Sequence, residues 1–101
     1  MIFVFEIQVS PGHSAEEYAA AWVQASEIIQ QAPGARGTRL HRKIGDSNVL
    51  LAIASWDSKS DRDAMESSPD TTVRRIISHQ AEFVSIRVIG EFEDADWVVM
   101  P

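Results

Sequence analysis

The chain has 101 residues, a formal net charge of −6 and no cysteine. This length supports one domain with a thin core, and the acidic balance opposes nucleic acid as a partner, because a polyanion needs a dominant basic surface. The lack of thiols excludes disulfides, a cysteine nucleophile and Cys-based metal or Fe–S sites, and no apolar run approaches the length of a membrane span, so no membrane partner is expected.

Met1 leads directly into strand-like residues, with no basic region or cleavage site, and a cytoplasmic location is expected. The first strand is predicted over Ile2–Val9 and is stopped by the turn signal Ser10-Pro11-Gly12. Ser14-Ala15-Glu16-Glu17 fits a capping box, in which the Ser14 hydroxyl serves the Glu17 amide and Glu17 reaches back. The helix that follows repeats apolar residues at Tyr18, Ala21/Trp22, Ala25, Ile28/Ile29 and Ala32, one stripe at helical spacing, and Pro33-Gly34 ends it. A second strand is predicted over residues 36–43, joined by the turn Gly45-Asp46-Ser47-Asn48 to a third strand ending at Trp56. Asp57-Ser58-Lys59-Ser60-Asp61 starts another helix, with Ala64 and Met65 inside it. Ser68-Pro69-Asp70 interrupts that helix, with Ser68 as cap and Pro69 as first residue of a segment carrying Val73, Ile76 and Ile77 and running to His79. A final strand is predicted over residues 82–92. Residues 1–93 thus make the domain and residues 94–101 a C-terminal tail, whose Trp97, Val98, Val99 and Met100 are apolar enough to dock on a sheet edge or on a partner subunit.

Strand, helix, strand, strand, helix pair, strand is the order of an α+β, ferredoxin-like fold: a four-stranded antiparallel sheet with helices on one face. The strands, however, are apolar on both alternations. In residues 49–56 one alternation holds Val49, Leu51 and Ile53, and the other Leu50, Ala52, Ala54 and Trp56. A half-exposed strand should alternate apolar with polar. The helices suffice to cover one face. The other, expected to carry Phe3, Ile53 and Phe83, is predicted to meet the same face of a second copy in a two-fold homodimer.

Three stretches resemble the antibiotic biosynthesis monooxygenase family of dimeric α/β barrels: Val9-Ser10-Pro11-Gly12 closing strand one, Pro33-Gly34-Ala35-Arg36-Gly37 entering strand two, and Ile53-Ala54-Ser55-Trp56-Asp57-Ser58-Lys59 running into a helix. The resemblance covers nearly the whole chain. It implies sheets packed face to face in a homodimer, with a ligand cavity in each subunit between sheet and helices. It also implies a range of activities, from oxygenases lacking metal or flavin to haem-degrading oxygenases. The haem-degrading branch carries an Asn in strand one, a second Trp in helix two and a His ligand further along. The matching positions here hold Phe5, Met65, and Arg74 or Arg75. Haem degradation by that route is disfavoured, although His79 lies one turn beyond the ligand position. No cofactor is expected.

The histidines are His13, His41 and His79, and no pair has metal-ligand spacing, so no metal site is expected. His13 precedes a helix cap and reads as surface. His41 shares an alternation with Gly37, Arg39 and Lys43; it faces the intersubunit side if Leu40 points under the helices, and the cavity in the reverse register. His79 ends a helix, where a protonated imidazole complements the dipole. Arg36, Arg39, Arg42 and Lys43 fall on both faces of one strand and read as a charged edge. Arg87, in an otherwise apolar strand, should pair with Glu6 if the first and last strands adjoin, or else serve a carboxylate or phenolate ligand. Tyr18, Trp22 and Trp56 suit a core, and in a cavity they would flank a flat aromatic molecule. Glu91, Glu93, Asp94 and Asp96 read as a solvated edge.

The activity implied by the resemblance is a cofactor-independent monooxygenase acting on a small aromatic or quinol-like substrate, with oxygen activated by the substrate's own electron-rich anion. In that scheme His79 or His41 accepts the proton, Tyr18, Trp22 and Trp56 wall the ligand, and Arg87 or Arg39 faces the phenolate. The alternatives are a non-catalytic small-ligand-binding or stress-response protein on the same barrel, and a haem-binding protein using His79.

Overall fold

The run Ile2–Val9 forms β1, and the other strands assemble around it. In the computed structural model, which describes residues 1–67 and 70–101, β1 is followed by α1 (Ala15–Ile29), β2 (Ala35–Lys43), β3 (Asp46–Trp56), α2 (Lys59–Glu66), α3 (Thr71–Gln80) and β4 (Val84–Phe92). The strands make one antiparallel sheet in the order β2-β3-β1-β4, which is the α+β, ferredoxin-like arrangement. β1 pairs with β3 from Ile2↔Ser55 to Gln8↔Val49, and with β4 from Ile2↔Phe92 to Val9↔Val84. The β1–β4 register shifts between Val4 and Phe5, leaving Ile89 as an extra residue.

Each helix begins on a side-chain cap. Ser14 Oγ accepts from the Glu17 amide at 3.1 Å, while the Glu17 carboxylate meets His13 Nδ1 at 3.1 Å. Ser58 caps α2 through the Asp61 amide, and Asp70 caps α3 through the Val73 amide at 2.9 Å. The cap and first helical residue expected at Ser68 and Pro69 lie outside the described residues. The hairpin between β2 and β3 turns at Ile44-Gly45 rather than at residues 45–48, because Gly45 takes φ +90° and Asp46 is already in the strand. β4 starts two residues later than expected, since residues 81–83 form a turn that drops Phe83 into the core.

The core lies between α1 and the sheet and consists of Ile7, Val9, Ala15, Tyr18, Leu50, Ala52 and Phe83, with Phe5, Trp22, Leu40 and Val84 packed around it. Strand alternation then places Val4, Val49, Leu51 and Ile53 on the opposite, outer face. Arg39, His41 and Lys43 flank them on β2, and Ser85 and Arg87 on β4. Two residues expected on this face are elsewhere. Phe3 follows the odd-numbered alternation of Phe5 and Ile7 to the helix side, where the Arg62 guanidinium sits 3.7 Å from its ring centroid. Phe83 precedes its strand and is buried in the core. The 94–101 segment makes no strand, so it does not extend its own sheet, and Trp97 and Val99 are 89 % and 96 % exposed.

Candidate functional site

The apolar stripe of α1 continues past the part that covers the sheet. Its last residues, Ile28, Ile29 and Ala32, face α2 and α3 across an open groove of about 570 Å3, with Met65, Val73 and Ile77 on the far walls. That volume is in the range of small-molecule sites, and the polar groups on the walls are few. Asp61, Arg62, Glu66, Asp70 and Arg74 supply the charges.

The groove is shaped by the chain's exit from α1. Gly34 turns back into β2 with φ +83°, a conformation that side-chain-bearing residues rarely adopt. The space its missing Cβ would fill is taken by the Asp61 side chain. Asp61 Oδ2 in turn accepts a hydrogen bond from Ser58 Oγ at 3.0 Å. Beside it, Arg62 keeps only 11 % of its side chain exposed. Its Nη1 lies 3.1 Å from Glu66 Oε2 and 3.7 Å from Glu91 Oε1, with the flat guanidinium stacked on Phe3. Lys59 joins the same network through Asp63 at 3.1 Å and Glu91 at 3.2 Å, and hydrogen bonds to these carboxylates raise its pKa. Arg62 is thus a fixed cation on the groove wall. Of the wall carboxylates, Glu66 pairs with Arg62, Asp70 caps α3, and Asp61 has a neutral hydroxyl partner.

None of the seven residues singled out from the sequence lines this groove. Tyr18 is 2 % exposed within the core, and burial pushes its phenol up to about 12. Trp56 is equally buried, and its backbone N–H and C=O both bond to Met1 at 2.9 Å. Trp22 packs against the core. The space between α1 and the sheet, where a cavity was expected, is filled by these side chains together with Ile7, Val9 and Leu50. His79 is exposed at the end of α3, 3.9 Å from Glu82 and edge-on to Phe83, which also stacks on His13 at a centroid distance of 4.7 Å.

His41 and Arg39 share the outer face of the sheet with Arg87, but on opposite edge strands, β2 and β4. Leu40 packs into the core, which sends His41 outward opposite Leu51, and Arg39 lies opposite Ile53. Arg87 Nη2 is 3.4 Å from Glu6 Oε2, the pairing that adjacency of β1 and β4 allows. His41, Glu6 and Lys43 rim a hollow of about 240 Å3 floored by Val49 and Leu51. Arg62 and Asp61 escaped the sequence reading. The i,i+4 spacings Lys59–Asp63 and Arg62–Glu66 were the available signal for them, though they mark only a salt-bridged helix.

The sequence model of the family described as antibiotic biosynthesis monooxygenase matches residues 1–73, and the chain belongs to that family. Among solved structures it is similar to SnoaB, a cofactor-independent oxygenase from Streptomyces nogalater, at 13 % identity and a TM-score of 0.75, covering 95 % of this chain and 96 % of that one. A candidate antibiotic biosynthesis monooxygenase from Bacteroides thetaiotaomicron matches at 14 % identity and a TM-score of 0.76, over 100 % of this chain and 95 % of its own. Another from Deinococcus radiodurans matches at 13 % identity and 0.70, over 98 % and 100 %. Likeness at these identities is likeness of fold. No functionally curated protein matches the sequence. Among the described residues, no helix is long and apolar enough to cross a membrane, and no three His, Cys, Asp or Glu side chains gather as a metal-binding group.

Proposed function

We propose that this chain is a monooxygenase needing no metal, flavin or haem, and that it acts on a small aromatic or quinol-like substrate held in the groove between α1, α2 and α3. Family membership supports the reaction class. The observation that carries the site is the groove itself: about 570 Å3, walled by Ile28, Ile29, Met65 and Ile77, with one immobilised cation at Arg62. Apolar walls exclude water and orient a flat molecule, and a fixed guanidinium favours the electron-rich phenolate that reacts with oxygen. His41 and His79 lie off the groove, so in this reading the substrate proton passes to Asp61, the wall carboxylate with only a hydroxyl for a partner.

A second reading is a binding protein that performs no reaction. It is favoured by the lack of an imidazole on the groove wall and by the structural partners of the three carboxylates there. Oxygen uptake with hydroquinones or hydroxyanthrones, abolished in Asp61→Asn, supports the oxygenase. Saturable binding of the same compounds without uptake supports the binder. No binding at all would remove the groove as a site, and a Soret band on the purified protein would favour haem.

The subunit arrangement that fits the outer face is a two-fold homodimer. Leu51 and Ile53, both partly exposed, lie on that face between Val4 and Val49, which are only 9 % and 8 % exposed within one copy. A monomer mass by light scattering at micromolar concentration would overturn this.

A further inference from the structure

We infer that Glu91 on β4 is a positioning residue for the groove's cation: it fixes the Arg62 guanidinium against the sheet and so gives the groove a preference for an ionised phenol over the corresponding neutral ether. The inference rests on the groove reading above and adds to it the residue that sets the charge state of the ligand.

A regular strand would not bring Glu91 there. Phe5 pairs with Val88, and strict alternation from that pair would set Gly90 opposite Phe3 and Glu91 opposite Ile2, on the outer face. The extra residue at Ile89 moves the register by one, so Glu91 lies opposite Phe3 on the helix side. Glu91 therefore leaves the solvated edge expected for it and turns toward α2, with its side chain 31 % exposed. Re-aiming one side chain beside a site is a recurrent use of a β-bulge.

Among the described residues, Arg62 Nη1 faces Glu66 at 3.1 Å, Glu91 at 3.7 Å and Asp63 at 4.0 Å. Glu66 and Asp63 ride on α2 with Arg62 itself, so they cannot hold it relative to the rest of the groove. The i,i+4 pair with Glu66 is also a weak one on an exposed helix surface. Phe3 and Glu91 belong to the sheet. The Phe3 ring, with its centroid 3.7 Å from Arg62 Cζ, fixes the height of the guanidinium. A stack leaves the cation free to turn over the ring, and Glu91 supplies the missing direction. Its second oxygen lies 3.2 Å from Lys59 Nζ, so the carboxylate is itself held and its charge is divided between two cations. The opposite wall of the groove comes from α1, which packs on the same sheet. Anchoring Arg62 to the sheet therefore sets its distance from that wall.

The test uses the full chain, with 4-nitrophenolate and its methyl ether 4-nitroanisole titrated by calorimetry at a pH where the phenol is ionised. Glu91→Gln should weaken 4-nitrophenolate about tenfold and leave 4-nitroanisole within about twofold. The direction is decisive. Were Glu91 to act only through its charge, removing it would strengthen the anion; were it only a support of the fold, both probes would weaken together. Either result overturns the inference. Glu93→Gln removes the same charge without facing α2 and should change neither probe; a loss equal to that of Glu91→Gln overturns the assignment to Glu91. NMR relaxation of the Arg62 Nε–H group reads the positioning without a ligand. Its order parameter should lie near the rigid value of about 0.85 in the unmodified chain and fall below about 0.6 in Glu91→Gln. A value that is high in both proteins, or low in both, overturns the positioning. If neither probe binds the unmodified chain while the Arg62 signal still responds to Glu91→Gln, the groove reading fails and the positioning stands.

Discussion

Replacing Gly34 with alanine tests how the groove is held. The substitution acts twice. First, φ +83° puts an alanine Cβ against its own backbone, a strain of about 1–2 kcal/mol. Second, that Cβ overlaps the Asp61 Cβ, Cγ and Oδ2, so the carboxylate must leave. Its departure breaks the 3.0 Å bond from Ser58 Oγ, a charge-assisted contact worth about 1.5 kcal/mol in a partly exposed position. The sum is about 3 kcal/mol, a large part of the stability of a domain this size and enough to lower Tm by roughly 12 °C or more. Urea denaturation of Gly34→Ala, Asp61→Gly and the double variant completes a cycle in which the helix cost of the second glycine cancels. With Asp61 removed, Gly34→Ala should cost only the backbone strain. An equal cost in both backgrounds would refute the packing argument, and a loss below about 0.5 kcal/mol would refute both parts.

Arg62→Met keeps bulk over Phe3 but removes the charge facing Glu66 and Glu91; it should lower stability by about 1–2 kcal/mol and weaken binding of a phenolate more than of its neutral ether, as read by calorimetry. Tyr18 is raised from 10.0 to about 12 by burial, so the folded state holds its proton more tightly than the unfolded chain. That contribution is intact below pH 10 and lost between pH 10 and about 12, up to about 2.7 kcal/mol for two pKa units. Alkaline denaturation should be flattened by Tyr18→Phe, and an unchanged profile would contradict it. Glu16 titrates below its ordinary value because Arg42 Nη2 donates to it at 2.7 Å. Its folded-state contribution is therefore present at neutral pH and lost as pH falls through that lowered value. In Arg42→Ala the Glu16 carboxyl resonance should titrate back toward 4.5, and an unmoved midpoint would remove Arg42 as the cause.

Element order and the one-sided helix layer were readable because they follow from local rules, turn residues and caps; the adjacency of β1 and β4 was left conditional, and the sheet order supplies it. The Glu6–Arg87 pair needed only that adjacency. Face assignment was harder. β1 is apolar on both alternations, so a period of two cannot say which set meets the helices, and Phe3 was placed on the wrong side for that reason. On β2 one apolar residue among charges, Leu40, was enough to send His41 outward. The groove was not legible at all. It depends on how α2 and α3, which follow β3, come to lie against the end of α1, which no residue spacing encodes. Tyr18 and Trp56 misled for a related reason: an aromatic ring with a polar tip looks the same in a core as on a ligand wall, and only burial separates the two.

The position of β1 in the sheet also sets an order of events during synthesis. Ile2 pairs with Ser55 on one side and with Phe92 on the other. A nascent chain that has delivered β3 can already form three strands and bury α1 against them. One edge of β1 then stays open until the last strand arrives and the connection through residues 57–83 closes, at a further cost in loop entropy. During that interval the unpaired edge and the bare apolar face belong to the same half-built sheet, and the β4 of a neighbouring chain competes for the edge that the chain's own β4 has yet to reach.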